Sequence, residues 1–284
     1  MTTSSGGRLS APSKVAIYVV LILLSIPALL PMLWMVSTSL KGDAQIFAGG
    51  ELTVKSLVPS PVVTSNYPKA LEHMPFLLYL RNTLMLCIWT VIGAVGSSAV
   101  VAYGFSKIRF SGRNVLFAVM IATMALPGQV TMIPVFSLYR TLGWYGSYLP
   151  LIVPAFTASA YYVFLLTQFY KTIPEEMSEA ARVDGASEWA IFRRLILPLS
   201  KPALATCALF QFIGTWNDFL GPLLYLNDPA KYTLGYGLQQ FVNHYGGFFA
   251  QLMAAATIFT LPIIILFFFA QKTFIQGIST TGGK

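Results

Sequence analysis

The sequence has little charge. Only 10% of its 284 residues are Asp, Glu, Lys or Arg, while 56% are hydrophobic. A soluble globular protein of this length needs more polar surface than this composition supplies. The shortage of charge argues against an ordinary soluble protein and predicts a chain that lies in a lipid bilayer.

Cysteine and histidine are also scarce, with two of each. Cys87 and Cys207 lie in apolar stretches with no second Cys or His nearby, which predicts buried free thiols rather than a disulfide or a metal site. No Ser/His/Asp, paired-carboxylate or Cys/His pattern appears. The glycine-rich tail, residues 277–284, lacks the Lys and the following helix of a phosphate loop. We therefore predict no enzymatic activity, no metal and no cofactor bound by this chain, ATP included.

What the sequence does contain is long apolar runs without charge. A helix needs about 20 residues to cross a bilayer core about 30 Å thick. Five runs are long enough and a sixth is interrupted only by Asp218; the six are residues 15–40, 82–106, 114–139, 141–170, 202–226 and 245–271. They are continuously apolar, whereas the strands of a membrane barrel alternate with period two. The sequence therefore predicts an all-α integral membrane protein with six transmembrane helices.

The basic residues predict the orientation of these helices. If the N-terminus lies in the cytoplasm, 12 of the 18 Lys and Arg residues fall in inside segments and 6 fall outside. Inside loops of membrane proteins are enriched in these residues, so we predict cytoplasmic N- and C-termini and no role in nucleic-acid binding. The predicted organisation is a cytoplasmic tail (1–14), a membrane domain (15–271) with outside loops 41–80 and 227–247 and an inside loop 171–200, and a cytoplasmic tail (272–284).

The inside loop at residues 171–200 holds five of the ten acidic residues. The Pro-Glu-Glu sequence at 174–176 is typical of a helix start, because proline loses no hydrogen bond there and carboxylates favour that end. Gly185 is typical of a left-handed helix stop. Ser187 is placed to cap a second helix, which we expect to close before Pro198. The loop therefore predicts two short helices joined by a glycine turn.

One face of the first short helix is made mostly of small side chains. Met177, Ala180, Ala181 and Asp184 share this face at helical spacing. Small side chains let another surface approach the backbone closely. We therefore predict that this face docks against a partner.

The same loop carries a family motif. Glu179-Ala180-Ala181, then Gly185, then Leu195-Ile196-Leu197-Pro198 resembles the cytoplasmic "EAA" loop of ATP-binding-cassette importer permeases, with Leu195 where Ile is usual. Other matching motifs are Asn66-Tyr67, Arg81-Asn82-Thr83, Trp216-Asn217-Asp218, Tyr232-Thr233-Leu234 and Gln276-Gly277. Together they resemble the carbohydrate-uptake group, specifically the smaller permease of maltose-type systems.

This resemblance implies the type I importer permease fold in a bacterial or archaeal cell membrane. It also implies a second permease subunit, two cytoplasmic ATPase subunits that hold ATP and Mg²⁺, and an extracytoplasmic sugar-binding protein. The outside loop 227–247 would touch the binding protein, and the C-terminal tail would reach along the ATPase. The inside loop would be the coupling element, with the site residues Glu179, Ala180, Ala181, Asp184, Gly185, Leu197 and Pro198.

Two groups of residues are candidates for the substrate path. An ionisable group near a span is a functional candidate, so Asp218, with Trp216 and Asn217, is either part of a path or gate or an anchor at the membrane interface. Tyr161, Tyr162 and Gln168 are candidates for sugar contact by stacking and hydrogen bonding, but aromatic residues in a bundle usually serve packing.

Other functions stay open at this stage. The cargo of such a permease is alternatively a polyol, a glycerophosphodiester or a peptide. An ion-coupled secondary transporter requires buried charges or broken helices in matched halves, for which only Asp218 is a candidate. A membrane-embedded enzyme requires convergent polar groups within the spans, and the sequence shows none.

Overall fold

The computed structural model of the protein describes residues 10–47, 57–242 and 248–282, so parts of both predicted tails and of both predicted outside loops lie outside the described residues. The described residues are helical or irregular, without a strand. Their α-helices are α1 (Ala11–Ser39), α2 (Asp43–Phe47), α3 (Asn66–His73), α4 (Phe76–Lys107), α5 (Arg113–Thr123), α6 (Gly128–Thr141), α7 (Leu149–Ile152), α8 (Ala160–Lys171), α9 (Glu175–Val183), α10 (Glu188–Ile191), α11 (Leu197–Leu199), α12 (Lys201–Trp216), α13 (Leu220–Tyr225), α14 (Leu234–Gly237) and α15 (Phe249–Gly282).

The described helices include up to six candidate membrane spans. Four are long and apolar enough by themselves: Ala11–Ser39, Phe76–Lys107, Leu149–Lys171 and Phe249–Phe269. Two more are bent pairs: α5 with α6, bent by 94°, and Glu188–Leu199 with α12, bent by 78°. The all-α membrane fold predicted from the sequence is confirmed.

Three predicted spans differ from the helices observed. The predicted run 114–139 is broken because Pro127 cannot continue α5 and disfavours a helical residue before it. The predicted run 141–170 begins only at α7, since Gly143 and Gly146 take positive φ values. The predicted run 202–226 ends at Trp216, and α13 follows as a separate short helix. Hydropathy alone marks none of these breaks.

The chain divides into two compact units, of which the first contains residues up to 73 and residues 241–258. In this unit Asn66 closes the end of α1. Its side-chain amide donates to the carbonyls of Ser39 and Lys41, each at 2.8 Å, and the Tyr67 hydroxyl lies 2.8 Å from the Ser39 hydroxyl. The last carbonyls of a helix have no partner within it. The Asn66-Tyr67 motif therefore serves as a cap for α1.

The second unit contains residues 74–240 and the chain from 259 onward. Its central element is α4, which packs against both α8 and α12. The small side chains of α4 allow this closeness: at Gly93, an added Cβ would lie 2.7 Å from the Phe156 ring. Cys87 and Cys207 are buried free thiols in this unit, as predicted.

Candidate functional site

The inside loop forms the predicted pair of short helices. Helix α9 starts directly after Pro174 and carries Glu175 and Glu176 in its first turn. Gly185 has φ of +80°, the left-handed conformation that favours glycine. The Ser187 hydroxyl accepts a hydrogen bond from the Ala190 N–H at 3.3 Å and so caps α10. The predicted start, stop and cap are confirmed.

The helical path that begins with α10 does not end before Pro198 but continues to Leu199, so the prediction that it closes before this proline is wrong. A π-helical segment at Phe192–Ile196 follows α10, and Pro198 lies inside α11. The Leu197 N–H reaches back five residues to the Phe192 carbonyl. Proline has no N–H to donate and clashes with the carbonyl four residues before it. The wider π turn immediately before Pro198 lets the helical path continue to Leu199.

The exposed surface of α9 differs in one position from the predicted docking face. Met177, Ala180 and Asp184 of the predicted face are exposed, and so is Glu179. Ala181 is only half-exposed and packs against the hydrophobic core of the second unit. Met177, Glu179 and Ala180 of α9 are therefore exposed together with Asp184, the residue directly after the helix, while Ala181 faces the bundle.

Behind this surface, a series of five side chains runs from Lys107 through Glu175, Arg182 and Glu188 to Tyr103. Both end members belong to α4, so the helix itself closes the series into a ring that joins α9 and α10 to the end of α4. Lys107 contacts Glu175 at 3.0 Å, and Arg182 contacts Glu175 at 3.5 Å and Glu188 at 2.7 Å. The Tyr103 hydroxyl donates to the second oxygen of Glu188 at 2.5 Å. The Lys107 side chain is 2% exposed and also donates to the Ile173 carbonyl at 2.7 Å. The ring is a continuous network of ion pairs and hydrogen bonds.

The ring also shifts the pKa values of Glu188 and Arg182. The hydrogen bond from Arg182 holds the pKa of the Glu188 carboxyl below its usual value, and the Tyr103 hydroxyl acts in the same direction. The hydrogen bond to Glu188 in turn raises the pKa of the Arg182 guanidinium. A cavity of about 500 Å³ opens beside the ring, lined by Lys107, Ile108, Arg109, Glu175, Glu179, Arg182 and Glu188. With these shifts, the Glu188 carboxyl and the Arg182 guanidinium are both charged at neutral pH.

The residues of the Trp216-Asn217-Asp218 motif point in different directions. The Trp216 indole is buried, stacks between the rings of Phe212 and Phe259, and donates to the Phe259 carbonyl at 3.2 Å. The Asn217 amide donates back to the Ile213 carbonyl at 2.9 Å. Trp216 and Asn217 therefore serve the packing and the end of α12.

Asp218 differs, because it lines a polar cavity between helices. Its carboxylate accepts a hydrogen bond from the Gly221 N–H at 3.0 Å. The cavity has a volume of about 250 Å³, and its lining is Leu86, Thr90, Leu151, Gln211, Gly214, Thr215, Asp218 and Pro222. The Thr90 and Thr215 hydroxyls lie 2.9 Å apart, and Gln211 donates to Thr215 at 3.1 Å. The sequence analysis missed these three residues, although each is a polar side chain within an apolar run.

The aromatic candidates do not join this cavity. Tyr162 is buried in the hydrophobic core, and Tyr161 contacts it edge-on with ring centroids 5.6 Å apart. Gln168 is half-exposed on α8, further along the same helix. None of the three is among the residues that line the cavity around Asp218.

Near the start of α4, the loop that follows α13 is hydrogen-bonded to the helix. The Thr83 hydroxyl accepts a hydrogen bond from the Leu234 N–H at 2.9 Å. Lys231 donates to the Gly146 carbonyl at 2.7 Å, and the Tyr148 hydroxyl donates to the Lys231 carbonyl at 3.1 Å. The described part of the loop after α13 is thus fixed to α4 and to the turn before α7.

The helical fold of the described residues, the candidate spans and the helix–turn–helix loop define a multi-pass membrane protein. A family model described as "Binding-protein-dependent transport system inner membrane component" matches residues 94–280. The chain belongs to this family, and the resemblance seen in its motifs is confirmed.

Individual relatives cover nearly the whole chain. The chain is 31% identical over 272 residues to the arabinooligosaccharides transport system permease protein AraQ of Bacillus subtilis, covering 95% of this chain and 96% of AraQ. It is 30% identical to the maltose/maltodextrin transport system permease protein MalG of Escherichia coli, covering 97% of both. A solved bacterial ABC transporter for import of the acidic polysaccharide alginate has a chain with a TM-score of 0.78 and 26% identity, covering 94% of this chain and 99% of that one.

Proposed function

We propose that this chain is the permease subunit of an ATP-driven importer for a sugar or an oligosaccharide in a bacterial or archaeal cell membrane. It forms the path with a second permease and receives cargo from an extracytoplasmic binding protein. Two partner ATPase subunits hold ATP and Mg²⁺ and drive the cycle through α9. The cargo class is supported by the relatives, whose names refer to arabinooligosaccharides, maltodextrin and alginate.

The observation that supports this proposal is the exposure of the Glu179 carboxylate on α9. Glu175 and Glu188 are both ion-paired within the chain. Glu179 is exposed and makes no ion pair or hydrogen bond with any residue that the structure describes. Its neighbour Ala180 is small and also exposed, so a partner surface can approach the helix closely. An accessible carboxylate on a helix that is itself held in place suits a basic residue of an ATPase subunit.

The cavity around Asp218 supports a path for a hydroxyl-rich cargo. Thr90, Gln211, Thr215 and Asp218 supply hydrogen-bond donors and acceptors within an apolar bundle. Polar and ionisable groups within membrane-spanning segments are costly in lipid and mark transport pathways in many membrane proteins. A sugar exchanges its hydrogen bonds with water for bonds to these groups. We therefore assign the cargo path to this cavity and not to Tyr161, Tyr162 or Gln168.

The proposal is tested by reconstituting the chain in liposomes with its partner permease, ATPase and binding protein, and measuring ATP-driven uptake of labelled arabinooligosaccharides and maltodextrins. Glu179→Ala is expected to reduce uptake at least tenfold, because truncating one member of a buried charge pair at an interface costs about 2 to 5 kcal/mol. The matched control is Glu176→Ala, which removes an exposed carboxylate from the same helix.

Normal uptake by Glu179→Ala, at a protein level equal to that of Glu176→Ala, would remove the assignment of α9 as the coupling element. Uptake of neither sugar by the unmodified transporter would exclude arabinooligosaccharides and maltodextrins as its cargo. The purified chain without its ATPase partners is expected to show no measurable affinity for ATP, because its sequence contains no phosphate loop.

A further inference from the structure

The side-chain ring behind α9 has no part in the contact proposed for Glu179. Its five members lie on three helices, with Tyr103 and Lys107 on α4, Glu175 and Arg182 on α9, and Glu188 on α10. Tyr103 and Lys107 are four residues apart, so they project from the same face of α4. The two carboxylates that they contact are the first residues of α9 and α10. The last turn of α4 thus holds the starts of both short helices.

Arg182 completes the ring at the opposite end of α9. It bridges Glu175 and Glu188, with contacts of 3.5 Å and 2.7 Å. Helix α9 is consequently held at its first residue and in its last turn, and both attachments lead back to α4. A helix fixed at two points is fixed in direction as well as in position.

Lys107 is the member whose loss is most disruptive to this arrangement. Its ammonium group is nearly inaccessible to water, and its two acceptors are the Glu175 carboxylate and the Ile173 carbonyl. Only the lysine side of this pair is buried, since the Glu175 side chain is 40% exposed. Separating the two groups therefore takes the carboxylate partner from a poorly hydrated ammonium group. Moving α9 away from α4 therefore costs free energy, while moving the two helices together does not.

We infer that Lys107 and Tyr103 are positioning residues that make α9 and α4 move as one body during the transport cycle. The inference rests on the proposed function of α9 as the coupling helix. Helix α4 packs against α8 and α12, and α4 and α12 both contribute to the lining of the cavity around Asp218. A displacement imposed on α9 by an ATPase subunit then passes through the ring to the helices around the cargo path.

The first measurement reports the attachment itself and needs no activity. Nitroxide labels at Val101→Cys on α4 and Val183→Cys at the end of α9 report the distance between the two helices in the assembled transporter. Both positions are exposed, and the native Cys87 and Cys207 are buried. We expect a single narrow distance distribution in the otherwise unchanged chain. In Lys107→Met, which keeps an unbranched side chain but removes the charge, we expect a broader distribution.

The second measurement reports coupling, which a purely structural role would not affect. The rate of ATP hydrolysis by the reconstituted transporter is measured with binding protein and transported sugar and again without either. The ratio of the first rate to the second is the measure of coupling. We expect Lys107→Met to lower this ratio by roughly three- to tenfold, which lies in the lower part of the range that coupling between contacting groups produces. The same change combined with Glu175→Gln should lower it little further, since both substitutions remove the Lys107–Glu175 ion pair and Glu175→Gln additionally weakens only the longer contact with Arg182. The control is Lys171→Met, which removes an exposed lysine from the end of α8.

If Lys107→Met fails to assemble, the test uses Tyr103→Phe instead, because this substitution removes only the hydroxyl that contacts Glu188. It should broaden the distance distribution and lower the ratio in the same directions, by smaller amounts. An unchanged distribution, or an unchanged ratio, in the variant that assembles overturns the inference. If Glu179→Ala lowers uptake while the ring variants retain the full ratio, only this inference fails. If Glu179→Ala also has no effect, the proposed coupling role of α9 fails with it.

Discussion

The side-chain amide of Asn82, near the start of α4, donates a hydrogen bond to the backbone carbonyl of Tyr232 at 3.0 Å. The same amide donates to the Ala230 carbonyl at 2.9 Å, and Asn82 itself is buried. Two of the motifs that identify the family, Arg81-Asn82-Thr83 and Tyr232-Thr233-Leu234, are therefore partners across 150 residues of sequence. Their function is to fix the loop after α13 to α4.

Replacing Asn82 should loosen this loop. Asn82→Asp is the sharper variant, because it keeps the shape of the side chain while turning a donor toward two carbonyls into an acceptor. We expect it to lower the free energy of unfolding by about 1 to 3 kcal/mol, the cost of buried polar groups without partners. The measurement is thermal unfolding of the purified transporter, with Asn114→Asp at an exposed position as control. An unfolding midpoint equal to that of the control would contradict the role assigned to Asn82.

Replacing Gly185 should reorient α9. Nothing lies within 4 Å of an added Cβ at Gly185, so a substitution meets no steric clash and acts only through the positive φ of the backbone. Gly185→Val is expected to cost about 1 to 2 kcal/mol and to lower ATP-driven uptake, while membrane insertion and binding-protein affinity stay normal. Gly185→Asn should be milder, because Asn tolerates this conformation better.

The control for this series is Gly104→Ala in α4, where a Cβ also meets open space but the backbone is helical. It should leave uptake unchanged. Equal uptake by Gly185→Val and Gly104→Ala would show that the left-handed turn has no role in coupling.

The pKa of Glu188 makes the ring sensitive to acid. Because the folded-state pKa lies below the usual value of 4.5, the contribution of Glu188 to stability is complete above about pH 4.5 and is lost as the pH falls through the lower folded-state value. Glu188→Gln should therefore have a lower unfolding midpoint than wild type between pH 6 and 8. The difference between the two midpoints should shrink progressively below about pH 4.5. The measurement is the unfolding midpoint against pH, with Glu176→Gln as control. A difference between Glu188→Gln and wild type that does not change with pH would contradict this account.

The orientation of the chain is a separate prediction, based on the distribution of Lys and Arg. Reporter domains that are active only outside the cytoplasm should be inactive when fused after residues 5, 108, 185 and 284. They should be active after residues 55 and 238. Activity of the fusion at residue 185 would reverse the proposed topology and move α9 to the side of the membrane that has no ATPase.

Much of the fold follows from local features of the sequence. Runs of about 20 apolar residues predicted the spans, because the bilayer thickness sets this length directly. The start, stop and cap of the inside loop were predicted from Pro174, Gly185 and Ser187, since each acts through its own backbone conformation or the adjacent turn. Local features gave a wrong prediction at Pro198, because the π-helical turn before it lets the helical path continue past the proline. They also missed the bend between α5 and α6, since hydropathy alone does not mark it.

The partners of individual side chains were decided only by the tertiary structure. The sequence predicted Lys107 as one of many orienting charges, yet the structure buries it between Glu175 and the Ile173 carbonyl. It predicted Trp216 and Asp218 as one motif, yet one packs against Phe259 and the other lines a cavity. Composition, apolar length and backbone preference are carried by neighbouring residues, so the sequence by itself determined the class, the spans and the helical hairpin. Ion pairs, caps and cavities join residues from distant segments, and only the packing of α4 with its neighbours decides which groups meet.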